Sequence, residues 1–233
     1  MLNKRAKFGR DGYIKIDSLL SMDEVEILRS IYDELLQDRT KTGLLRSDLA
    51  GSGDGSDEKV ERITQIMRPS SIEPRLQENS AYNKALQWAK DLLGSDMELD
   101  FDMLINKAPH TNTPTPWHQD AAYWINLPDK RAASCWIALD DVFEENGCMW
   151  FILKKEGESI HPHKNLPNGG ALYCETDTKN AKSIPLNPGG CTFHDGFTLH
   201  FSQGNTTETQ RRALILNFRP QKMIELERAQ GVD

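Results

Sequence analysis

Helix-type spacing of apolar residues marks the chain from about residue 18 to residue 95. In the clearest stretch, apolar side chains between Val25 and Leu36 recur three or four positions apart, which gives a helix one apolar face. Just before it, Ser21 and Glu24 fit a capping box, in which each side chain accepts a hydrogen bond from the other residue's backbone N–H. The sequence therefore predicts a helix from about residue 22, further helices within 74–93 that end near Gly94, and strands at 11–17 and 61–67.

Short β-type runs, separated by proline, glycine, asparagine and aspartate, replace this pattern from about residue 97 to residue 220. Several short strands at such spacing are typical of a β-sandwich or barrel. Helices first and strands later predict one α+β, mainly β domain that spans residues 1–233. The candidate strands are 98–106, 117–124, 132–139, 148–153, 190–194 and 213–218.

Charge and hydropathy favour a small-molecule partner. The chain has 28 Lys plus Arg against 35 Asp plus Glu, a net charge of -7, which disfavours non-specific binding to nucleic acid or to an anionic membrane. No uncharged apolar run approaches the roughly 18 to 20 residues of a membrane-spanning helix. The basic start of the chain lacks the apolar stretch of a signal peptide, so we expect a cytoplasmic protein. The sequence does not indicate an oligomeric state.

A glycine- and aspartate-rich stretch covers residues 51–58. Such a composition buries too little apolar area to offset the entropy lost on ordering. We therefore expect a mobile loop there, and a lid over a binding site is one interpretation of it.

The segment that ends in His118, Gln119 and Asp120 carries the first candidate chemistry. It contains Pro114 and Pro116, which disfavour a helix, so the segment should be extended. In an extended chain residues two positions apart face the same side, so His118 and Asp120 can converge on one metal ion. Trp124, at an even offset from His118, should face the same side and form a wall of the pocket beside the metal.

A third ligand should come from another strand, and His194 and His200 are the candidates. The Asp195-Gly196 pair indicates a turn between them, and only His200 stands eleven residues before Arg211, so His200 is the preferred ligand. Two imidazoles and one carboxylate leave three octahedral positions open, which suits Fe(II) that must bind a chelating cosubstrate and dioxygen.

Arg211 opens a further strand-like run. Its planar guanidinium can pair with a carboxylate through two hydrogen bonds, and alternation places the neighbouring Arg212 on the opposite face. The alternative interpretation of Arg211 is a salt bridge at the strand edge.

These motifs together resemble the phytanoyl-CoA dioxygenase (PhyH) family of Fe(II)/2-oxoglutarate-dependent oxygenases. The resemblance implies a double-stranded β-helix (jelly-roll, cupin-like) core with N-terminal and flanking helices, in which His118, Asp120 and His200 hold iron. It also implies that Arg211 and Ser202 bind the far carboxylate of 2-oxoglutarate, and that Met103 and Gln65 contact the cosubstrate. The segments that carry it are Met103-Leu-Ile-Asn-Lys107, His118-Gln-Asp120, Asn146-Gly-Cys-Met-Trp-Phe-Ile152, Asn187-Pro-Gly-Gly190, His200 and Arg211.

The implied activity is a dioxygenase that hydroxylates an unactivated C–H bond of a small or medium organic substrate, with O2 consumed and succinate and CO2 released. Asp120 fills a position that is small in related halogenases, which favours hydroxylation. Residues 153–158 depart from the family pattern, so the local turn there is not implied. Two alternatives remain open: a cupin-like isomerase or hydrolase with Zn or Mn at the same triad, and a non-catalytic small-molecule binding protein.

Overall fold

The computed structural model describes residues 2–51, 61–155, 157, 159–167 and 170–232, and six α-helices lie within these ranges. The predicted capping box is confirmed, since Ser21 and Glu24 exchange hydrogen bonds between side chain and backbone. Nearly all of the predicted loop at 51–58 lies outside the described residues. The helices are α1 (Leu2–Asp11), α2 (Met22–Gln37), α3 (Arg39–Thr42), α4 (Arg75–Glu78), α5 (Ser80–Leu93) and α6 (Gln221–Ala229).

Thirteen strands within the same ranges form antiparallel sheets. They are β1 (Tyr13–Ile16), β2 (Arg46–Asp48), β3 (Ile63–Met67), β4 (Met97–Lys107), β5 (Thr115–His118), β6 (Ala133–Ala138), β7 (Met149–Phe151), β8 (His163–Asn165), β9 (Leu172–Cys174), β10 (Lys182–Ile184), β11 (Cys191–His194), β12 (His200–Ser202) and β13 (Arg211–Pro220). The larger sheet has the order β1-β11-β6-β13-β4-β3-β2, the smaller has β10-β7-β12-β5, and β8 pairs with β9. The predicted jelly-roll class, mainly β with flanking helices, is confirmed.

Alternation along the larger sheet separates its two faces. On β6, Cys135 and Ile137 join an apolar cluster with residues of α2 and α5, so this face is covered by helices. Ser134 and Trp136, one position out of phase, line a cavity on the opposite face. The sheet therefore packs its helix-facing side into the main core and keeps its other side for the cavity.

The predicted strand at 117–124 is wrong beyond His118. β5 ends at His118, which is paired with His200 at the first position of β12, so no strand partner continues past it. Backbone N–H groups must then bond elsewhere, and a 3-10 turn over Asp120–Tyr123 forms. In this turn the Ala121 N–H donates to the Gly196 carbonyl at 2.9 Å.

The helices at the two chain ends, α1 and α6, were not predicted. α1 is mostly exposed and charged, so its sequence lacks the apolar stripe that marks a packed helix. Among the described residues, no helix is both long enough and apolar enough to cross a membrane.

Candidate active site

Two histidines and one aspartate meet where β5 and β12 pair. His118 lies directly opposite His200 in the register of these strands, and Asp120 follows in the 3-10 turn. The Asp120 Oδ1 atom is 3.8 Å from His118 Nε2 and 3.5 Å from His200 Nε2. Ligand atoms of all three residues lie within 4.8 Å of one another, which is close enough for one metal ion to bind all of them.

Hydrogen bonds from Nδ1 to the backbone fix the orientation and the tautomer of both imidazoles. His118 Nδ1 lies 2.7 Å from the Pro116 carbonyl oxygen, and His200 Nδ1 lies 2.9 Å from the Thr198 carbonyl oxygen. A carbonyl oxygen only accepts, so each Nδ1 carries the proton and each Nε2 presents a lone pair to the cluster. Metal-ligating histidines are commonly held in this way, so the donor set fits a divalent transition metal.

Burial and mutual contact set the protonation states of the cluster. Burial, together with the nearby His200, lowers the pKa of His118 to about 3, so His118 is neutral at neutral pH. Burial likewise lowers the pKa of His194. For Asp120, burial favours the neutral acid, but His200 and His194 outweigh it and hold the pKa well below its ordinary value. For His200, burial lowers the pKa, but the Asp120 carboxylate outweighs it and raises the pKa above its ordinary value. Asp120 and His118 are thus already in the forms that bind metal, and a metal displaces any proton on His200 Nε2.

Two further side chains hold the outer oxygen of Asp120. Ser134 Oγ lies 2.7 Å from Asp120 Oδ2, and His194 Nε2 lies 3.3 Å from the same atom. His194 is 3% exposed and its Nδ1 has no hydrogen-bond partner among the described residues, so Nε2 carries the proton that the carboxylate accepts. With Oδ2 held, Oδ1 is the oxygen that faces His118 and His200.

We expect Ser134→Ala to weaken divalent metal binding about tenfold, because the carboxylate loses the donor that fixes its orientation. Calorimetric titration with Co(II), a stand-in for Fe(II), measures this loss. Ser183→Ala is the control, since Ser183 bonds the exposed Glu144 far from the cluster. Equal Co(II) affinity in Ser134→Ala and wild type would show that Ser134 does not orient Asp120.

A cavity of about 1410 Å³ opens between the sheets beside the cluster. Every residue that the sequence singled out for the site lines this cavity: Gln65, Met103, His118, Asp120, Trp124, His200, Ser202 and Arg211. His194, the alternative ligand, also lines it, although it does not join the group whose ligand atoms all lie within 4.8 Å. The structure thus places the predicted residues in one space.

Arg211 is the most unusual side chain in this cavity. It is 1% exposed, and its Nε and Nη1 atoms have no hydrogen-bond partner among the described residues. Its guanidinium carbon lies 5.2 Å from the centre of the Trp136 ring, and burial lowers the pKa of Arg211 to about 10. A buried, unpaired guanidinium is costly, and an anion in this cavity would supply the missing acceptors.

Arg212 shows that the two arginines differ as alternation predicts. It pairs with Asp33 at 2.8 Å and with Asp140 at 2.6 Å on the helix side of the sheet. The alternative interpretation of Arg211, a strand-edge salt bridge, therefore describes Arg212 and not Arg211.

The remaining predicted cosubstrate contacts lie around these groups. Gln65 Nε2 lies 3.3 Å from the Met103 sulfur across the paired strands β3 and β4. Ser202 is buried at the end of β12. Trp124 reaches the cavity by way of the turn rather than a regular strand, and its ring lies 4.1 Å from the Arg219 guanidinium carbon. A Cβ on Gly196 would come within 2.2 Å of the Trp124 ring, so a larger residue there would have to displace the indole.

Lys107 joins the strands that carry the cluster. It is fully buried, and its Nζ donates to the carbonyl oxygens of Thr113 at 3.0 Å, Ser202 at 3.2 Å and Gln203 at 2.6 Å. Burial lowers the pKa of Lys107. The three carbonyl acceptors favour the charged ammonium, because it has three N–H donors and the neutral amine has only two. The lysine thereby ties the segment before β5 to the end of β12.

Lys107→Met is expected to lower the free energy of unfolding by roughly 3 kcal/mol, because buried carbonyls lose their charged donor. Urea denaturation measures the change, and Lys182→Met, at an exposed position of β10, serves as control. An unchanged unfolding free energy in Lys107→Met would contradict this role.

Sequence reasoning missed the roles of four residues of the site, among them that of His194, which it considered only as a third ligand. Trp136 packs in an apolar cluster and also lines the cavity beneath Arg211. Ser134 shares its face of β6, so the alternation of that strand could have indicated both residues. Lys107 and His194 meet their partners only through strand pairing that is distant in sequence, for which the local pattern carries no signal.

Known proteins resemble this chain in sequence and in fold. The phytanoyl-CoA dioxygenase (PhyH) family model matches residues 8–213. A probable phytanoyl-CoA dioxygenase of Caenorhabditis elegans is 25% identical over 234 residues, which cover 92% of this chain and 74% of that protein. The phytanoyl-CoA dioxygenase domain-containing protein 1 of Danio rerio is 30% identical over 117 residues, which cover 47% of this chain and only 40% of that protein.

Among solved structures, EvdO2 from Micromonospora carbonacea var. aurantiaca, complexed with 2-oxoglutarate, superposes with a TM-score of 0.75 and 27% identity. The match covers 93% of this chain and 89% of EvdO2. Since the family model spans most of the sequence, the chain belongs to the phytanoyl-CoA dioxygenase family.

Proposed function

We propose that this protein is an Fe(II)- and 2-oxoglutarate-dependent dioxygenase that hydroxylates an unactivated C–H bond of a small or medium organic substrate, with release of succinate and CO2. His118, Asp120 and His200 hold the iron, and Arg211 and Ser202 bind the far carboxylate of 2-oxoglutarate. The observation that carries the proposal is the position of Arg211. Its buried guanidinium has donors without partners among the described residues, and it lies in the same cavity as the metal-type cluster of His118, Asp120 and His200.

The donor set supports iron. Two imidazoles and one carboxylate leave open coordination positions, and this set is typical of non-haem Fe(II) oxygenases. Iron, when bound, supplies the activation of dioxygen. The protein residues hold the ligands in one orientation, through the backbone bonds at His118 and His200 and through Ser134 and His194 at Asp120.

The arrangement of the cavity supports 2-oxoglutarate as cosubstrate. A dicarboxylic keto acid can reach a metal with one end and a guanidinium with the other, and Arg211 offers its open donors beside Trp136. Ser202 adds a hydroxyl two residues after His200, on the strand that carries that ligand. Met103 and Gln65 flank the same space from β4 and β3, and Trp124 forms a wall on the far side.

Room remains for a substrate once the cosubstrate is bound. Ligand sites for small molecules are usually about 300 to 1,000 Å³, so a cavity of about 1410 Å³ accommodates two small ligands. Apolar and aromatic groups line it beside the cluster, among them Trp124 and Ile215. These walls exclude water from the reacting C–H bond.

The test is turnover of 2-oxoglutarate by purified protein with Fe(II) under 18O2. Succinate is expected in substoichiometric, uncoupled amounts without substrate, with one 18O atom in its new carboxylate, and His118→Ala should abolish it. Formation of unlabelled succinate, or none at all with bound Fe(II) and 2-oxoglutarate, would contradict the proposal. Tight binding of 2-oxoglutarate without turnover would favour a non-catalytic binding protein. Turnover of another substrate with Zn or Mn, in the absence of 2-oxoglutarate, would favour the isomerase or hydrolase alternative.

A further inference from the structure

The cavity follows strand β13 over most of its length. Strand β13 runs along its floor, and the cavity-facing residues include Arg211 at one end and Asn217 farther along. At about 3.3 Å per residue, Arg211 and Asn217 are separated by roughly 20 Å along the strand. Asn217 pairs with Ser134, whose hydroxyl contacts Asp120, and its other neighbour is Phe101. Phe101 therefore lies roughly 20 Å from the Arg211 backbone along the sheet.

Arg68 lies beside Phe101 in this cavity. Its guanidinium carbon is 5.7 Å from the centre of the Phe101 ring, and the residue lines the cavity. In β3 the cavity-facing residues are Gln65 and Met67, so a strand that continued regularly would turn Arg68 away from the cavity. Arg68 instead has left-handed backbone angles, φ 49° and ψ 45°, which redirect the chain immediately after β3.

The surrounding structure holds this backbone in place. The Arg68 N–H donates to the Asp102 carbonyl at 2.7 Å, and the Ser71 hydroxyl donates to the Arg68 carbonyl at 2.7 Å. A left-handed conformation is unfavourable for a residue other than glycine and persists where neighbouring bonds enforce it, often at functional sites. An arginine at such a position is therefore a candidate for a role beyond packing.

Pairing distinguishes Arg68 from the other cavity arginines. Among the described residues, a carboxylate lies within 4.0 Å of the guanidinium of every cavity-lining arginine except Arg68 and Arg211. Among the described residues, the Arg68 guanidinium makes one hydrogen bond, a long one of 3.4 Å to the Asp100 carbonyl oxygen. The paired arginines are Arg39 with Glu61, Arg62 with Asp48, Arg219 with Asp100 and Glu227, and Arg228 with Asp100 and Glu227.

We propose that Arg68 binds an anionic group of the substrate, a carboxylate or a phosphoryl group, and so places the C–H bond to be oxidised over the metal centre. This inference rests on the proposed function and names the class of its substrate. Among the described residues, Arg211 and Arg68 are the two arginines of the cavity without a carboxylate partner. 2-Oxoglutarate has two carboxylates, one for the metal and one for Arg211, so it has none left for Arg68 and a second anion is needed there.

Binding of small probes to the protein loaded anaerobically with Fe(II) and 2-oxoglutarate tests the inference. The probes are hexanoate, hexyl phosphate and the neutral hexanamide, titrated by calorimetry. We expect at least one anion to bind tenfold or more tightly than hexanamide, and the better of the two anions identifies the group. Arg68→Gln should remove the preference, and Arg68→Lys should retain part of it because the positive charge remains.

Arg39→Gln is the matched control, because Arg39 lines the same cavity but is already paired with Glu61 at 2.8 Å. Its preference for the anion should equal that of wild type. The inference is overturned if wild type shows no preference, if no probe binds, if Arg68→Gln keeps the preference, or if Arg39→Gln loses it equally. Thermal melting of Arg68→Gln confirms folding, and its left-handed backbone is no more strained with glutamine than with arginine.

The experiments distinguish failure of the proposed oxygenase function from failure of the proposal that Arg68 binds an anion. If the protein does not form an Fe(II)·2-oxoglutarate complex, the proposed function fails, but Arg68 is still testable in metal-free Arg211→Met protein. In that variant Arg211 cannot capture the probes. If this variant binds an anion more tightly than hexanamide, and adding Arg68→Gln removes that preference, the result supports an anion site at Arg68. If the variant binds no anion more tightly than hexanamide, the anion site is overturned.

Discussion

Arg211→Met should weaken 2-oxoglutarate binding by about a hundredfold or more, because a bidentate charged pair contributes roughly 3 kcal/mol or more in a buried site. The methionine keeps an apolar side chain of similar length beside Trp136 but has no donor. Calorimetry with 2-oxoglutarate and Co(II) measures the loss. Co(II) affinity itself should not change, since Arg211 is not part of the metal cluster.

The same substitution should leave the ligand-free protein at least as stable as wild type. A buried guanidinium with unpaired nitrogens costs free energy in the absence of its anion, and methionine removes that cost. 2-Oxoglutarate should raise the melting temperature of wild type by mass action and leave that of Arg211→Met unchanged.

Arg212→Gln is the matched control for these measurements. It breaks the pairs with Asp33 and Asp140 on the helix side of the sheet, so it should lower the melting temperature while 2-oxoglutarate affinity stays within about threefold of wild type. Wild-type 2-oxoglutarate affinity in Arg211→Met, or a hundredfold loss in Arg212→Gln, would contradict the assignment of the two arginines.

Asp120→Ala should reduce Fe(II) or Co(II) affinity by at least about a hundredfold and abolish turnover of 2-oxoglutarate. The substitution removes the only carboxylate of the cluster, so two neutral imidazoles must hold a buried dication without a compensating charge. Metal titration of the apo-protein measures the affinity, and succinate formation measures the turnover.

Asp195→Asn is the control for Asp120→Ala. The Asp195 carboxylate lies close by but is committed to Lys154, Thr198 and the Phe197 N–H, so its loss should leave metal affinity within about threefold. If Asp195→Asn and Asp120→Ala had the same effect, Asp120 would be one of several acidic groups near the metal rather than its ligand.

Local pattern was enough to predict much of the fold. The apolar stripe and the Ser21–Glu24 box define α2, and the Gly94 signal marks the end of α5, because both are properties of neighbouring residues. The strand predicted at 117–124 failed for a non-local reason. The two prolines favour an extended segment, but the partner strand β12 does not continue past His200, and the backbone turns to satisfy its own N–H groups.

Residue type and spacing along the chain were enough to predict part of the candidate site. His118, Asp120, His200 and Arg211 stand in a recognisable order along the chain, and all four line one cavity. The supporting contacts of Lys107 and His194 could not be predicted in this way, because both residues meet their partners across strands from distant parts of the sequence.

Arg68 is the clearest case of a residue hidden from sequence reasoning. It follows a strand whose alternation predicts an outward side chain, and only the left-handed backbone at that residue redirects it into the cavity. The unpaired state of its guanidinium is likewise visible only once the carboxylates of the other cavity arginines have been located.

The central claim is that one cavity binds Fe(II) through the triad and 2-oxoglutarate through Arg211 at the same time. Anaerobic addition of 2-oxoglutarate to the Fe(II)-loaded protein tests it most directly, by visible absorption spectroscopy. We predict a metal-to-ligand charge-transfer band that saturates at one 2-oxoglutarate per chain and is absent from Asp120→Ala and, at the same 2-oxoglutarate concentration, from Arg211→Met. Fe(II) bound at one equivalent without such a band at saturating 2-oxoglutarate would contradict the claim.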